Sequence, residues 1–108
     1  MPRRGEIWWA NLDPSVGSEV NKTRPCLVIG NSVLNERRRS VVVVPLISSP
    51  RAAPPVTVSV TCSGRPAIAV MDQVRAVAKE RLVSLIEKLS AQELESVEDA
   101  LREILELD

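Results

Sequence analysis

Four consecutive valines, Val41–Val44, followed by Pro45-Leu46-Ile47, constrain this chain more than any other feature. β-Branched side chains crowd a helix but stand well on a pleated surface, so residues 41–47 are predicted to be a strand. Proline donates no N–H to a ladder, so Pro45 predicts an edge or a bulge just before Ser48.

The rest of the core must also be aliphatic, because Trp8 and Trp9 are the only aromatic residues in the sequence. At 108 residues, with 44% apolar and 26% charged side chains, the chain fits one domain over positions 1–108. Such a length can bury a core without disulfides or a structural metal. Cys26 and Cys62 are the only cysteines and histidine is absent, which excludes a usual zinc site. No apolar run approaches the roughly 20 residues needed to span a bilayer, and the amino end has no secretory pattern. A cytoplasmic protein with reduced cysteines is expected.

The formal net charge of zero hides a division along the chain. Residues 1–88 hold 13 Lys and Arg against 7 Asp and Glu, whereas residues 89–108 hold one Arg against 7 acidic residues. A polyanion is drawn to the first part and repelled by the second, though an acidic run is equally compatible with a solvated helix face.

Glu6–Leu12 reads as a first strand closed by Asp13-Pro14, and residues 13–24 as a polar loop. Pro25–Asn31 reads as a second strand, apolar in its middle and buried on both faces. Asn31–Arg39 is polar and basic, with room for one helical turn. Val56–Thr61 alternates apolar and hydroxyl residues, predicting a strand with one wet face. Gly64-Arg65-Pro66 is read as a turn into Ala67–Met71, and Asp72–Ala78 as a further extended segment. Leu82, Leu85, Ile86 and Leu89 fall at helical spacing, predicting a short amphipathic helix. Ser90-Ala91-Gln92-Glu93 fits a capping box opening a second helix, with Leu94, Val97, Leu101, Ile104 and Leu105 as its apolar stripe. Strands first and helices last suggest an α+β domain on a small twisted or barrel-like sheet.

Several ordered blocks carry a family resemblance. Arg4-Gly5-Glu6-Ile7-Trp8-Trp9, Asn11-Leu12-Asp13-Pro14, Gly17-Ser18-Glu19 and Lys22-Thr23-Arg24-Pro25 resemble the opening of MazF/PemK toxins. The likeness continues through Val43–Ser49, Asp72-Gln73-Val74-Arg75 and Lys79-Glu80-Arg81-Leu82. It implies an SH3-like twisted antiparallel β-barrel with a C-terminal helix, working as a homodimer. It also implies a toxin–antitoxin system in which a metal-independent, sequence-specific endoribonuclease cuts single-stranded mRNA, with no cofactor. A cognate antitoxin would cover the RNA groove with an acidic, disordered tail. CcdB-like toxins share this fold but inhibit gyrase without catalysis, and a degenerate binding module is a further alternative.

Cleavage through the RNA's own 2′-hydroxyl needs a base, a stabiliser of phosphorane charge and an acid for the leaving 5′-oxygen. Without histidine, carboxylates, guanidinium groups and hydroxyls must supply these roles. The resemblance makes Arg24 catalytic, and its fork can grip two phosphate oxygens. Pro25 holds the Arg24 backbone extended. Ser48 stands where the family usually has threonine, keeping the hydroxyl but losing the methyl that restrains its rotamer. Glu19 is a candidate base or a partner orienting Arg24, and Asp72 is the competing carboxylate. Gln73 and Arg75 are expected to line the same groove, suited to base edges and phosphate respectively. Asp13, Ser18, Lys22, Thr23 and Ser49 complete the expected substrate-binding set. Ala76 and Ala78 replace a threonine and an acidic residue common in relatives. Trp8 and Trp9 must face opposite ways, and both are assigned to core and dimer-interface packing rather than to base stacking. Arg37–Arg39 either steers RNA or solubilises a loop.

Overall fold

A computed structural model of the chain describes residues 1–12, 23–48 and 51–107. Its centre is the valine strand. Strand β1 spans Glu6–Ala10, β2 Arg24–Val28, helix α1 Ser32–Arg37, and β3 Ser40–Ile47. Strands β4 (Thr57–Cys62) and β5 (Arg65–Val70) form a hairpin, and a single 3-10 turn at Met71–Gln73 leads into β6 (Arg75–Ala78). A second such turn at Lys79–Arg81 precedes β7 (Leu82–Lys88), and helix α2 covers Ala91–Ile104. The antiparallel order is β4-β5-β3-β2-β1-β7, with β6 also paired to β3. The result is the curled half-barrel with a C-terminal helix that the resemblance implied.

Pro45 explains how one strand serves three neighbours. One side of β3 pairs with β2 over Val43–Pro45. Its other side pairs with β6 over Ser40–Val43 and with β5 over Leu46–Ile47. Pro45 sits in the gap where that second partner changes, so its missing N–H costs no bond in either register. The expected irregularity before Ser48 is thus a change of partner within a central strand.

Alternation along these strands builds two cores. Ile7, Leu27, Val44 and Leu46 face one cluster, together with Val58, Val60 and Met71. Helix α2 covers that cluster with Val97 and Ala100, flanked by Leu94, Leu101 and Ile104. Ala10, Cys26, Val28, Val41, Val43 and Val77 form the other cluster, against which Trp8 and Leu82 pack. As read from the sequence, β2 is buried on both faces, and β4 alternates buried Val58 and Val60 with exposed Ser59 and Thr61.

Four sequence readings need correction. The helix expected from Leu82, Leu85, Ile86 and Leu89 is strand β7, paired to β1 along its length. Its apolar residues do not share a face: Leu82 packs on the second cluster, Ile86 and Leu89 on the first, and Leu85 is exposed. The backbone bonds offered by the free edge of β1 override a coincidental helical spacing. The turn expected at Gly64-Arg65-Pro66 lies one residue earlier. Ser63 and Gly64 both adopt positive φ, 54° and 74°, as a two-residue hairpin turn of the primed type requires, so Arg65 opens β5. Asp72 and Gln73 belong to a 3-10 turn rather than to an extended segment. Leu105 lies beyond the end of α2 and is exposed, so it is not part of the buried stripe.

The capping box is half formed. Ser90 Oγ accepts the Glu93 amide at 3.1 Å, but the Glu93 carboxylate turns away to the hairpin, accepting from the Thr61 amide at 3.1 Å and hydroxyl at 3.0 Å. Arg4 ties α2 to the start of β1 through a 2.5 Å contact with Glu98 and also donates to the Ile29 carbonyl.

Ser90→Ala is expected to cost about 1 kcal/mol through loss of the cap. Leu89→Ala should cost about 2–5 kcal/mol, because Leu89 is buried between sheet and helix. Urea unfolding of each variant measures both.

Candidate functional site

Arg24 is the first residue of β2 and is exposed there, opposite Ala10 of β1. Arg24, expected as the last residue of the polar loop, lies instead in the strand, where pairing fixes its backbone as well as the following proline does. Two grooves meet at this position, with Arg24 and Ile47 lining both.

The larger groove, about 770 Å³, continues the concave face of the sheet beyond the end covered by α2. Ile7 and Trp9 lie on one face of β1 and pair with Leu27 and Pro25 of β2. Ile7 and Leu27 are sealed in the core, whereas Trp9 and Pro25 line the open groove. Ser48, just past β3, lines it too, and the β4–β5 hairpin adds Cys62, Ser63, Arg65 and Pro66. The smaller groove, about 420 Å³, lies on the other side of Arg24 and is lined by Leu12, Pro45, Gln73 and Arg75. Arg75 also donates to the Leu12 carbonyl at 3.4 Å, a long bond that leaves the rest of its fork available.

The structure therefore brings Arg24 and Ser48 to one groove, and Arg24, Gln73 and Arg75 to the other. Asp72 is exposed beside Gln73 but lines neither groove, and Thr23 is exposed just ahead of β2. Asp13, Ser18, Glu19, Lys22 and Ser49 lie outside the described residues.

Trp9 and Arg65 are groove residues that sequence reasoning missed. Trp8 does pack on a core cluster, and its indole N–H donates to Glu6 at 3.1 Å. Trp9 remains 41% exposed. Period-two alternation correctly put the two rings on opposite faces, but it could not show that one face runs out from under the helix. Arg65 was hidden by its assignment to a turn.

Across this geometry, residues 3–105 match the family model described as PemK-like, MazF-like toxin of type II toxin-antitoxin system. The chain belongs to this toxin family. It is 39% identical to endoribonuclease MazF9 of Mycobacterium tuberculosis, with 99% of this chain and 98% of that protein covered. It is 30% identical to endoribonuclease EndoA of Bacillus subtilis over 93% of this chain and 90% of the relative. Among solved structures, a mycobacterial endoribonuclease in complex with its cognate antitoxin superposes with a TM-score of 0.83 at 21% identity, covering 100% of this chain and 98% of that one. The Mycobacterium tuberculosis toxin MazF-mt6 gives 0.78 at 23% identity, covering 95% of this chain and 98% of its own. These superpositions confirm the half-barrel of the MazF-like family as the fold of this chain.

The two cysteines, on β2 and β4, are free thiols in different environments. Burial pushes the Cys26 thiol up from 9.0 to about 12, against a smaller opposing effect of its hydrogen bond with the Trp8 backbone. Burial and then the charge of Glu87 raise the Cys62 thiol as well, partly offset by a hydrogen bond with Ser63. Neither is a poised thiolate at neutral pH. Raising the folded-state value of Cys26 above its unfolded one favours folding below about pH 9 and withdraws that support as the pH climbs towards 12. Stability should accordingly decline over that window. A Cys26→Val variant should show a flatter decline in denaturant titrations.

Proposed function

We propose that this chain is the toxin of a type II toxin–antitoxin pair and a metal-independent endoribonuclease that cuts single-stranded mRNA at short sequence motifs. The observation that carries this reading is the position of Arg24 at the junction of two grooves, with Ser48 on one side and Gln73 and Arg75 on the other. A strand laid along both grooves passes its phosphate over the guanidinium. Family membership and the endoribonuclease names of relatives matched over nearly the whole chain support the same conclusion.

In the proposed reaction the 2′-oxygen attacks the adjacent phosphorus, and the bond from phosphorus to the 5′-oxygen breaks. The products are a 2′,3′-cyclic phosphate and a 5′-hydroxyl, the leaving 5′-oxygen taking a proton from solvent as its bond to phosphorus breaks. Arg24, permanently cationic, neutralises the charge that grows on the non-bridging oxygens. The Ser48 hydroxyl donates to one of those oxygens. Glu19, five residues ahead of Arg24, is assigned the base that takes the 2′-hydroxyl proton. Asp72 remains the competing carboxylate. Gln73 and Arg75 hold a neighbouring nucleotide by its base edge and its phosphate.

The partner is proposed to be an antitoxin whose acidic, disordered tail lies along the arginine-lined grooves, competing with RNA by the same charge complementarity. The working unit is proposed to be a homodimer in the cytoplasm. Among the described residues, no helix is long and apolar enough to cross a membrane.

Purified protein with EDTA should cut a long single-stranded RNA, leaving cyclic-phosphate and 5′-hydroxyl ends. Arg24→Ala should slow that cleavage by about 10²–10³-fold, the range for losing one oxyanion-stabilising group. RNA that stays intact with wild-type protein and variant alike refutes the enzyme reading. Light scattering reads the oligomeric state directly.

A further inference from the structure

We infer that the groove between Trp9 and the β4–β5 hairpin is a stacking subsite that holds one nucleotide of the RNA without reading its base, Arg65 clamping that nucleotide's phosphate. Sequence reading is thereby confined to the Gln73 side of Arg24. This inference rests on the nuclease reading above and adds a division of labour between the two grooves.

The first support is the chemistry of the lining. Trp9 presents a partly exposed indole at the end of an otherwise aliphatic concave face, with Pro25 and Pro66 beside it. An indole face binds any base by stacking, because every base has a π-face. The volume of about 770 Å³ falls within the ~300–1,000 Å³ of typical small-ligand sites.

The second support is charge. Arg24 and Arg65 both line the groove, and among the described residues no carboxylate does. Glu87 and Glu93, the carboxylates that reach the hairpin, accept from the Ser63 amide and from the Thr61 amide and hydroxyl, and are thereby engaged in holding it. The ion pairs of Arg4 with Glu98 and of Arg102 with Asp99 involve α2, which lines neither groove.

The third support is the kind of hydrogen-bonding group on each side. Around Trp9, besides the Cys62 thiol and the two arginines assigned to phosphate, these are the hydroxyls of Ser48 and Ser63, which can donate or accept and so discriminate little between bases. On the other side Gln73 offers an amide with a defined donor and a defined acceptor, the pattern that a base edge can match or mismatch.

A single-stranded oligodeoxynucleotide lacks the attacking 2′-hydroxyl and therefore serves as an uncleaved probe. Binding should quench the tryptophan emission of wild-type protein. Trp9→Phe should abolish the quench while keeping affinity, since phenylalanine still stacks. Trp9→Ala should weaken binding by about 5–150-fold, from the ~1–3 kcal/mol attributed to one stacked base. Arg65→Ala should reduce the slope of log affinity against log salt by about 0.7, the value for one lost single-strand phosphate contact. Mapped RNA ends should show Trp9→Ala and Arg65→Ala cutting the wild-type motif more slowly, and Gln73→Ala cutting an altered one.

Wild-type protein that cuts RNA with no change of emission on adding the probe overturns the subsite and leaves the nuclease reading standing. A cleavage motif that shifts in Trp9→Ala overturns the inference equally. Wild-type protein that neither cuts RNA nor binds the probe overturns the nuclease reading itself.

Discussion

The pairing of β3 with three strands at once is the constraint on which the rest of the architecture depends. Three of its four valines face inward, Val44 to one core and Val41 and Val43 to the other, while Val42 is exposed. Pro45 falls where no hydrogen bond is required of it. The partner change at that point lets β6 and β5 lie along one edge of β3, in succession. The chain between them, carrying Asp72 and Gln73, is consequently a short turn at the junction. Gln73 and Ser48 thus lie close to the ends of neighbouring paired strands, so a strand-level decision about proline places side chains far apart in sequence around Arg24.

The concave face shows how a folding requirement and a binding requirement can share one strand. Ile7 and Leu27 are cross-strand neighbours beneath α2, and Trp9 and Pro25 are the next such pair on the same face. Helix α2 covers the first pair and leaves the second open to the groove. A side chain of core character is left facing solvent as a result, and its indole surface becomes available to a ligand. The same geometry separates the reactive-looking from the inert: Cys26, one residue from Pro25, turns to the closed face and is held as a neutral thiol.

Much of this was legible in the sequence, for identifiable reasons. The valine run, the apolar middle of β2 and the hydroxyl alternation of β4 each carry a local period that matches the environment they fold into. The Ser90 cap was also readable, being a property of four consecutive residues. Arg24 and Ser48 were found by resemblance, and the backbone geometry brings them to one groove. Strand β7 was misread because three leucines and an isoleucine at helical spacing are also compatible with an irregular edge strand, and pairing with β1 decides between them. The exposure of Trp9 depends on how much of that face helix α2, which begins only at Ala91, covers. Arg65 depended on a hairpin turn shifted by one residue. Those last two facts are tertiary, and no local pattern contains them.

The contacts of Glu93 have a mechanical meaning. Its amide is held by Ser90 at the first turn of α2, while its carboxylate grips both the amide and the hydroxyl of Thr61. Two residues further along the hairpin, the Ser63 amide is held by Glu87 of β7. The wall that carries Arg65 is therefore guyed from both the last strand and the start of the last helix. The gape of the groove is tied to how firmly that helix begins.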